Sequence, residues 1–413
     1  TSWRRISSNK IQQSYFNLGL CFEIHHKKSI KYLKKLIKSY NKKNLIGETF
    51  NEDMVRFNRI LAIIYQSEGN FVLSKKHCWE ALKYKEDIKS INFLSQITNV
   101  NDDERFKKKL FSLINITNLT QDEERKVYSM LGKAEKELKN YKKSFECYKK
   151  SNDIKKILYF KQFEEHNYKL MSEILTKNKY IEWTSKKIIT KKKYPQVIFI
   201  VGLPRSGSTL IETILSCNEK AHSVGEYLKM SEILLNRNLD IYFNNIEDKK
   251  IIIDKQLMNF KFIPFILTNF ENCKIINTIR NPLDNILSIY LTDIEYSCDY
   301  TDSDLNKIYA YYKFWKNIIK EWKSKYPNKI YDYYYDNLVN EPKKYIKELI
   351  DYVGFEWSDK YLKTQKSKIK TNTSSVYQIR QGIYKTSSKR WKNYKDNLKK
   401  IIKKLNEDCV DYN

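Results

Sequence analysis

The sequence predicts an α/β protein in two parts: an all-helical N-terminal region, then a P-loop-type three-layer domain around a central parallel sheet. Three observations carry that reading. All six prolines (Pro195, Pro204, Pro264, Pro282, Pro327 and Pro342) lie after residue 194, so none interrupts a helix before it. Beyond that point short apolar runs alternate with amphipathic stretches, the pattern of strands joined by crossover helices. One of these runs leads directly into a glycine loop and a helix start.

The helical part matches itself when shifted by 70 residues: Leu61 with Leu131, Ala62 with Gly132, Phe71 with Tyr141, Ser74 with Ser144, and Ala81 with Ser151. Small residues where two helices cross let the backbones approach, and large ones fill the groove between hairpins. The segment Leu131 to Ser151 resembles a tetratricopeptide unit, whose period of about 34 residues is half the observed shift. The same reading places a degenerate unit at 95–128 and a weak one at 11–40, with an irregular helical bundle as the alternative. No catalytic constellation is visible in this region. The predicted division is a helical-repeat domain over 1–185, a basic linker over 186–195 and an α/β domain over 196–413.

The chain is 413 residues long with a net charge of +28. That length suffices for two domains with cores of their own. The charge suits an anionic partner, yet it also fits a composition rich in Lys, Asn, Ile and Tyr with only 9 Gly. The basic residues spread through both parts without a nucleic-acid reading motif, so no nucleic acid is expected. Seven cysteines without paired close spacing suggest neither a disulfide framework nor a zinc site, and a reducing cytoplasm is the expected setting. No run approaches the roughly 18 apolar residues of a membrane span, and no signal-peptide core follows Thr1. The first residue is not Met, which leaves a removed targeting segment open.

In the second part the runs Val197–Val201, Lys274–Ile279 and Ile330–Tyr335 read as strands. The first enters Gly202-Leu-Pro-Arg-Ser-Gly-Ser-Thr-Leu210, followed by a helix through Glu212 and Leu215. Such a loop aims successive backbone N–H groups at one spot beside a helix N-terminus, which suits a phosphate. Arg205, Ser206, Gly207, Ser208, Thr209 and Leu210 are its candidate ligand-binding residues. The Gly202 to Gly207 spacing is that of a Walker loop, but Ser208 stands where a nucleoside triphosphatase needs Lys. Arg280 closes the second strand, and a helix opened by Pro282 carries Ser288, so both can reach one phosphate near the strand's carboxyl end.

These blocks together resemble the sulfotransferases that use 3′-phosphoadenosine 5′-phosphosulfate (PAPS), especially their tyrosylprotein and tetratricopeptide-containing bacterial branch. Pro204-Arg-Ser-Gly-Ser-Thr209 looks like the 5′-phosphosulfate loop. Ser223-Val-Gly-Glu226 resembles the segment of the catalytic glutamate, and Asp254-Lys255 with Asn259 the catalytic-lysine block. Arg280-Asn-Pro with Ser288 is similar to the 3′-phosphate signature, and Tyr335-Asp-Asn-Leu-Val339 to the tyrosine block beside the adenine. Ser375-Val-Tyr-Gln-Ile-Arg380 and Arg390-Trp391 resemble the closing segment. The resemblance covers residues 196–394. Three positions depart from it: Asn281 and Asn337 where Asp is usual, and Gly382 where Pro is frequent.

The resemblance implies PAPS as co-substrate without a metal, and a hydroxyl-bearing acceptor whose identity no motif reveals. Glu226 is the implied general base, with His222 as the rival and a helix-start charge before Tyr227–Leu235 as the structural alternative. Arg205 and Ser375 would bind the sulfuryl oxygens, and Lys255 the bridging oxygen. Arg280 and Ser288 would hold the 3′-phosphate, Tyr335 would pack by the adenine, and Arg390 would add an anionic contact. Gln378, Arg380 and Trp391 read as structural. The repeats would present a protein acceptor or pair two chains in a homodimer. The competing readings are a P-loop small-molecule kinase and a non-catalytic helical adaptor.

Overall fold

In the computed structural model the described residues are 26–42, 47–158, 168–244, 246, 250–294, 303–364, 382–383 and 388–412. The chain divides into two compact units, residues 1–113 and 114–413. The first holds α1 (His26–Lys42), α2 (Glu48–Ser67), α3 (Phe71–Ala81), α4 (Ile88–Ile97) and α5 (Glu104–Ser112). Its core joins Leu33 of α1 to Met54, Phe57, Leu61 and Ile64 on one face of α2. In the second unit α6 (Gln121–Glu137) and α7 (Tyr141–Leu158) form a hairpin, followed by α8 (Tyr168–Thr176) and α9 (Asn178–Thr184).

The sequence repeat has a structural counterpart inside each unit. In the α2–α3 hairpin the Asn70 N–H donates to Tyr65 O at 2.8 Å and Ser74 Oγ to Ala62 O at 2.8 Å. In the α6–α7 hairpin, 70 residues on, the Asn140 N–H donates to Glu135 O at 2.8 Å and Ser144 Oγ to Gly132 O at 2.8 Å. Each small residue at the crossing lets a serine from the second helix reach a buried carbonyl of the first.

The expected intermediate unit at 95–128 begins inside α4 and ends inside α6, with α5 between them. Aspartate caps start α4 and α5: Asp87 accepts from the Ser90 N–H at 2.9 Å and Asp103 from the Phe106 N–H at 2.8 Å. Thr120 and Glu123 close a capping box that starts α6. The expected weak unit at 11–40 lies mostly outside the described residues, apart from α1.

Architecture changes where the basic 186–195 run stands, between α9 and the first strand, whereas the division into compact units falls earlier and leaves α6–α9 with the α/β part. That part contains β1 (Gln196–Gly202), α10 (Ser208–Leu215), β2 (Ala221–Gly225), α11 (Met230–Asn236), α12 (Asp240–Phe243), β3 (Ile251–Asp254) and α13 (Ile263–Asn269). Then come β4 (Lys274–Ile279), α14 (Pro282–Tyr290), α15 (Leu305–Lys325), β5 (Ile330–Tyr334), α16 (Tyr335–Asn340), α17 (Pro342–Val353) and α18 (Lys399–Glu407). The five strands form one parallel sheet in the order β2-β3-β1-β4-β5. Beyond the three strands read from the sequence, it therefore includes β2 and β3, and Tyr335 opens a helix instead of closing β5.

Alternation along the buried strands separates two cores. Val197, Phe199 and Val201 face one layer with Ile252 and Ile275, backed by α11, α13, α14 and α15. Ile198 and Ile200 face the other with Ile253, Ile276 and Tyr333, covered by α10, α16 and α17. This is the expected three-layer arrangement. Burying each Val or Ile side chain contributes about 1.5–3 kcal/mol. Among the described residues no helix is long and apolar enough to cross a membrane.

Candidate active site

Parallel strands place all their carboxyl ends along one edge, and sites of open α/β sheets form there. Here that edge collects the candidate residues. The loop with Arg205 follows β1, Glu226 follows β2, Lys255 follows β3, Arg280 follows β4 and Tyr335 follows β5.

The loop after β1 is held from below. Ser206 Oγ donates to Leu203 O at 2.6 Å and meets Thr278 Oγ1 at 2.5 Å, while Asn285 Nδ2 donates to Pro204 O at 2.8 Å. Arg205 takes a left-handed φ of 65° and Gly207 one of 95°. A Cβ on Gly207 would lie 2.2 Å from Cδ2 of Tyr335, and one on Gly202 only 2.4 Å from Thr278 Oγ1. Both glycines are therefore required by close approach. The amides of the first turn of α10, including Ser208 and Thr209, have no acceptor within the helix, as at any helix start. Ser208, Thr209 and Leu210 are buried there.

Cationic groups gather on the β4 side. Arg205 Nε reaches Ser288 Oγ of α14 at 3.5 Å, and Arg280 Nη1 donates to Arg205 O at 2.9 Å. The Arg280 guanidinium lies 5.1 Å from the centre of the Tyr335 ring, so this ring braces both the loop and Arg280. Burial pushes the Arg280 guanidinium down from its ordinary value; Tyr335 and Asp284 oppose that and Arg390 adds to it. Arg390 is brought in by Asp284, whose carboxylate accepts the N–H groups of Lys389 at 2.5 Å and Trp391 at 2.8 Å.

The other side is a carboxylate and lysine cluster. Lys255 Nζ donates to Glu226 Oε1 at 2.5 Å and lies 4.0 Å from Glu212 Oε2. The Lys255 side chain is 2% exposed and that of Glu212 1%, against 57% for Glu226. The Lys255 N–H donates to Gly225 O at 2.9 Å, so the ends of β2 and β3 are tied together beneath the pair. Burial raises the Glu212 carboxyl above its usual range, with Lys255 and the Ser223 hydroxyl acting the other way. Asp254 accepts from Gln256 N–H and Tyr242 OH, each at 2.8 Å, and from Asn259 Nδ2 at 3.2 Å. Burial nevertheless lifts its carboxyl to about 7.

The structure thus brings Arg205, Arg280, Ser288, Tyr335 and Arg390 together at one pole and Glu226 with Lys255 at the other. Glu226 lies in the turn after β2, four residues before α11, and does not start a helix. His222 lies within β2, half-buried. Ser375, Gln378 and Arg380 lie outside the described residues, and Trp391 is buried against the core as expected. Two departures have physical accounts. Asn281 caps α14 through Oδ1, at 3.1 Å from Leu283 N and 3.2 Å from Asp284 N, and its Nδ2 donates to Tyr412 O at 2.7 Å, which a carboxylate cannot do. Gly382 has φ 93°, closed to proline. Nothing in the structure explains Asn337. Sequence reading missed the roles of Glu212 and Asp284, although each lies two residues beyond a quoted block, because neither contact is visible without the fold.

Fold and site define a parallel α/β domain with a cationic edge and an adjacent carboxylate–lysine pair. Residues 195–242 and 238–359 match the model of the sulfotransferase family. A relative in Aquifex aeolicus (strain VF5), described as an uncharacterized protein, is 28% identical over 317 residues, 67% of this chain. The chain spans only 41% of that relative's length. Two solved structures are similar: the sulfotransferase domain from the Synechococcus PCC 7002 olefin synthase (17% identity, TM-score 0.39) and that from the curacin biosynthetic pathway (16%, 0.37). Each comparison covers 49% of this chain, and 90% and 92% of the respective domains.

Proposed function

We propose that this chain is a PAPS-dependent sulfotransferase acting on a hydroxyl acceptor. The observation that carries the reading is the meeting, on one sheet edge, of a cationic pole around Arg205, Arg280 and Ser288 with the Glu226–Lys255 pair. A nucleotide with a 3′-phosphate and a 5′-phosphosulfate has anionic groups for the first and a reacting centre for the second. The donor set fits such a group: buried cations repel one another until an anion offsets them.

In this reading the acceptor oxygen attacks sulfur as the bond from sulfur to the bridging phosphate oxygen breaks. Glu226, largely exposed on the side open to solvent, takes the acceptor's proton. Lys255 donates to the bridging oxygen, offsetting the charge that builds on the departing 3′-phosphoadenosine 5′-phosphate (PAP). Arg205 and the loop amides hold the 5′ end, and Ser375 is assigned to the sulfuryl oxygens from the resemblance. Arg280 and Ser288 hold the 3′-phosphate. The binding test is calorimetric titration of PAP, without metal, into wild type and Arg280→Ala/Ser288→Ala. Micromolar binding, about −8 kcal/mol, that disappears in the variant supports the reading; a folded wild type that does not bind PAP overturns it.

A further inference from the structure

Ser288 lies two residues before the end of α14, and that end is held by the α6–α7 hairpin. The last carbonyls of a helix have no partner within it, and α7 supplies side-chain donors. Asn152 Nδ2 donates to Tyr290 O at 3.1 Å, and Lys155 Nζ to Ile294 O, just beyond the helix, at 2.6 Å. Phe145 of α7 stacks on the Tyr290 ring, with centres 5.2 Å apart. Arg125 of α6 is ion-paired with Asp293, and Lys155 Nζ lies 3.7 Å from the same carboxylate. Arg125, Asn152 and Lys155 are all buried.

Buried polar side chains add little adhesion, since well-packed apolar ones of similar volume often do as well or better. What they add is direction, because each is costly unless its partner stands at the right distance and angle. The hairpin that carries them is itself set: Ser144 Oγ donates to Gly132 O, and a Cβ on Gly132 would lie 2.7 Å from Cδ2 of the buried Tyr148. The same helix α7 also holds the 3₁₀ helix Arg390–Leu398. Ser144 Oγ meets Tyr394 OH at 3.1 Å, and the Phe145 and Tyr394 ring centres are 6.3 Å apart. Phe145 therefore packs on both the segment that carries Ser288 and the segment that begins at Arg390. Ser288 Oγ in turn is 3.5 Å from Arg205 Nε, and the Arg205 carbonyl accepts from Arg280. Donors of a binding site must be held to within about 0.5 Å by the groups behind them.

We propose that Asn152 and Phe145 are positioning residues of the nucleotide site: they fix the end of α14, and with it Ser288 beside Arg205, so that recognition of the 3′-phosphate depends on the helical hairpin. The inference rests on the proposed nucleotide reading and gives the last helical repeat a part in binding the donor.

The test is calorimetric titration of PAP and of adenosine 5′-phosphate into wild type, Asn152→Ala/Phe145→Leu, Ser288→Ala and the variant with all three changes, with melting temperatures measured without nucleotide. The hairpin variant is expected to bind PAP roughly two- to tenfold more weakly, the scale of one hydrogen bond, and adenosine 5′-phosphate as wild type does. In the Ser288→Ala background the same two changes should weaken PAP no further. Asn152→Ala alone, which removes one hydrogen bond and little volume, carries the comparison should the double change prevent folding. A lowered melting temperature with unchanged PAP affinity, equal weakening of both nucleotides, full additivity with Ser288→Ala, or a Ser288→Ala variant that binds PAP like wild type overturns the inference. Wild type that does not bind PAP overturns the nucleotide reading itself.

Discussion

Lys255 and Glu226 meet at 2.5 Å between the ends of β3 and β2, with Glu212 buried behind the lysine at 4.0 Å. The lysine thus stands between an exposed carboxylate and an enclosed one. In the proposed reading a ligand oxygen approaching Lys255 would compete with Glu226 and, by displacing it, leave that carboxylate available for an acceptor proton, while Glu212 would hold the ammonium from behind.

Glu226→Gln should therefore separate binding from chemistry. PAP affinity is expected to stay within a few-fold of wild type, and sulfuryl transfer to fall by about 10²–10⁴-fold. Titration of PAP and single-turnover transfer from PAPS, measured on the same preparation, check this; transfer at the wild-type rate would remove Glu226 as the base and return attention to His222.

Loss of the lysine should destabilise through the carboxylate it leaves behind. Lys255→Met strands Glu212 in the core, for which about 3 kcal/mol is expected. Adding Glu212→Gln should recover part of the loss, giving a non-additive double-mutant cycle in urea denaturation. Additive effects would mean the two groups do not support each other.

Asp254 gives the stability of the fold a direction with pH. Its carboxyl titrates near 7 when folded, against an ordinary value of 3.8. Between those values the folded chain keeps a proton that the unfolded chain has released, so this contribution is full below about 3.8 and is lost as pH rises through 7. The melting temperature of Asp254→Asn relative to wild type should rise steadily from pH 4.5 to pH 8. A constant difference would indicate that the three donors keep Asp254 ionised throughout.

The two repeated serine contacts should differ in strength. Ser74→Ala removes one bond, to Ala62 O, and should cost about 1 kcal/mol. Ser144→Ala removes the matching bond to Gly132 O and also the contact with Tyr394 OH, so about 2 kcal/mol is expected. Urea midpoints, with the unfolding slope checked in each variant, compare them.

The edge that gathers the candidate residues was legible because they follow motifs in chain order, even where the strands bearing them were not recognised. β1, β4 and β5 announce themselves as apolar runs. β2, Ala-His-Ser-Val-Gly, is an edge strand half-open to solvent and has no such run; β3 is a four-residue stretch directly after two lysines. The Asp87 and Asp103 caps that begin α4 and α5 were readable as helix starts and were passed over for the period. Glu212 was beyond reach, since its meaning depends on Lys255, 43 positions away in the sequence numbering.

The strand order also dictates a timetable. β1 pairs with β3 from Gln196 to Ile251 and with β4 from Ile198 to Lys274, and no neighbouring strands form a hairpin. During synthesis the chain must hold β1 without its first partner, β3, until residue 254 has been made, and without its second, β4, until residue 279. Pairings this distant in sequence close slowly, and an unpaired apolar strand is the surface that invites aggregation. The helical hairpins ahead of β1 close by local contacts, whereas the loop after β1 rests on Thr278 and is set only when β4 arrives.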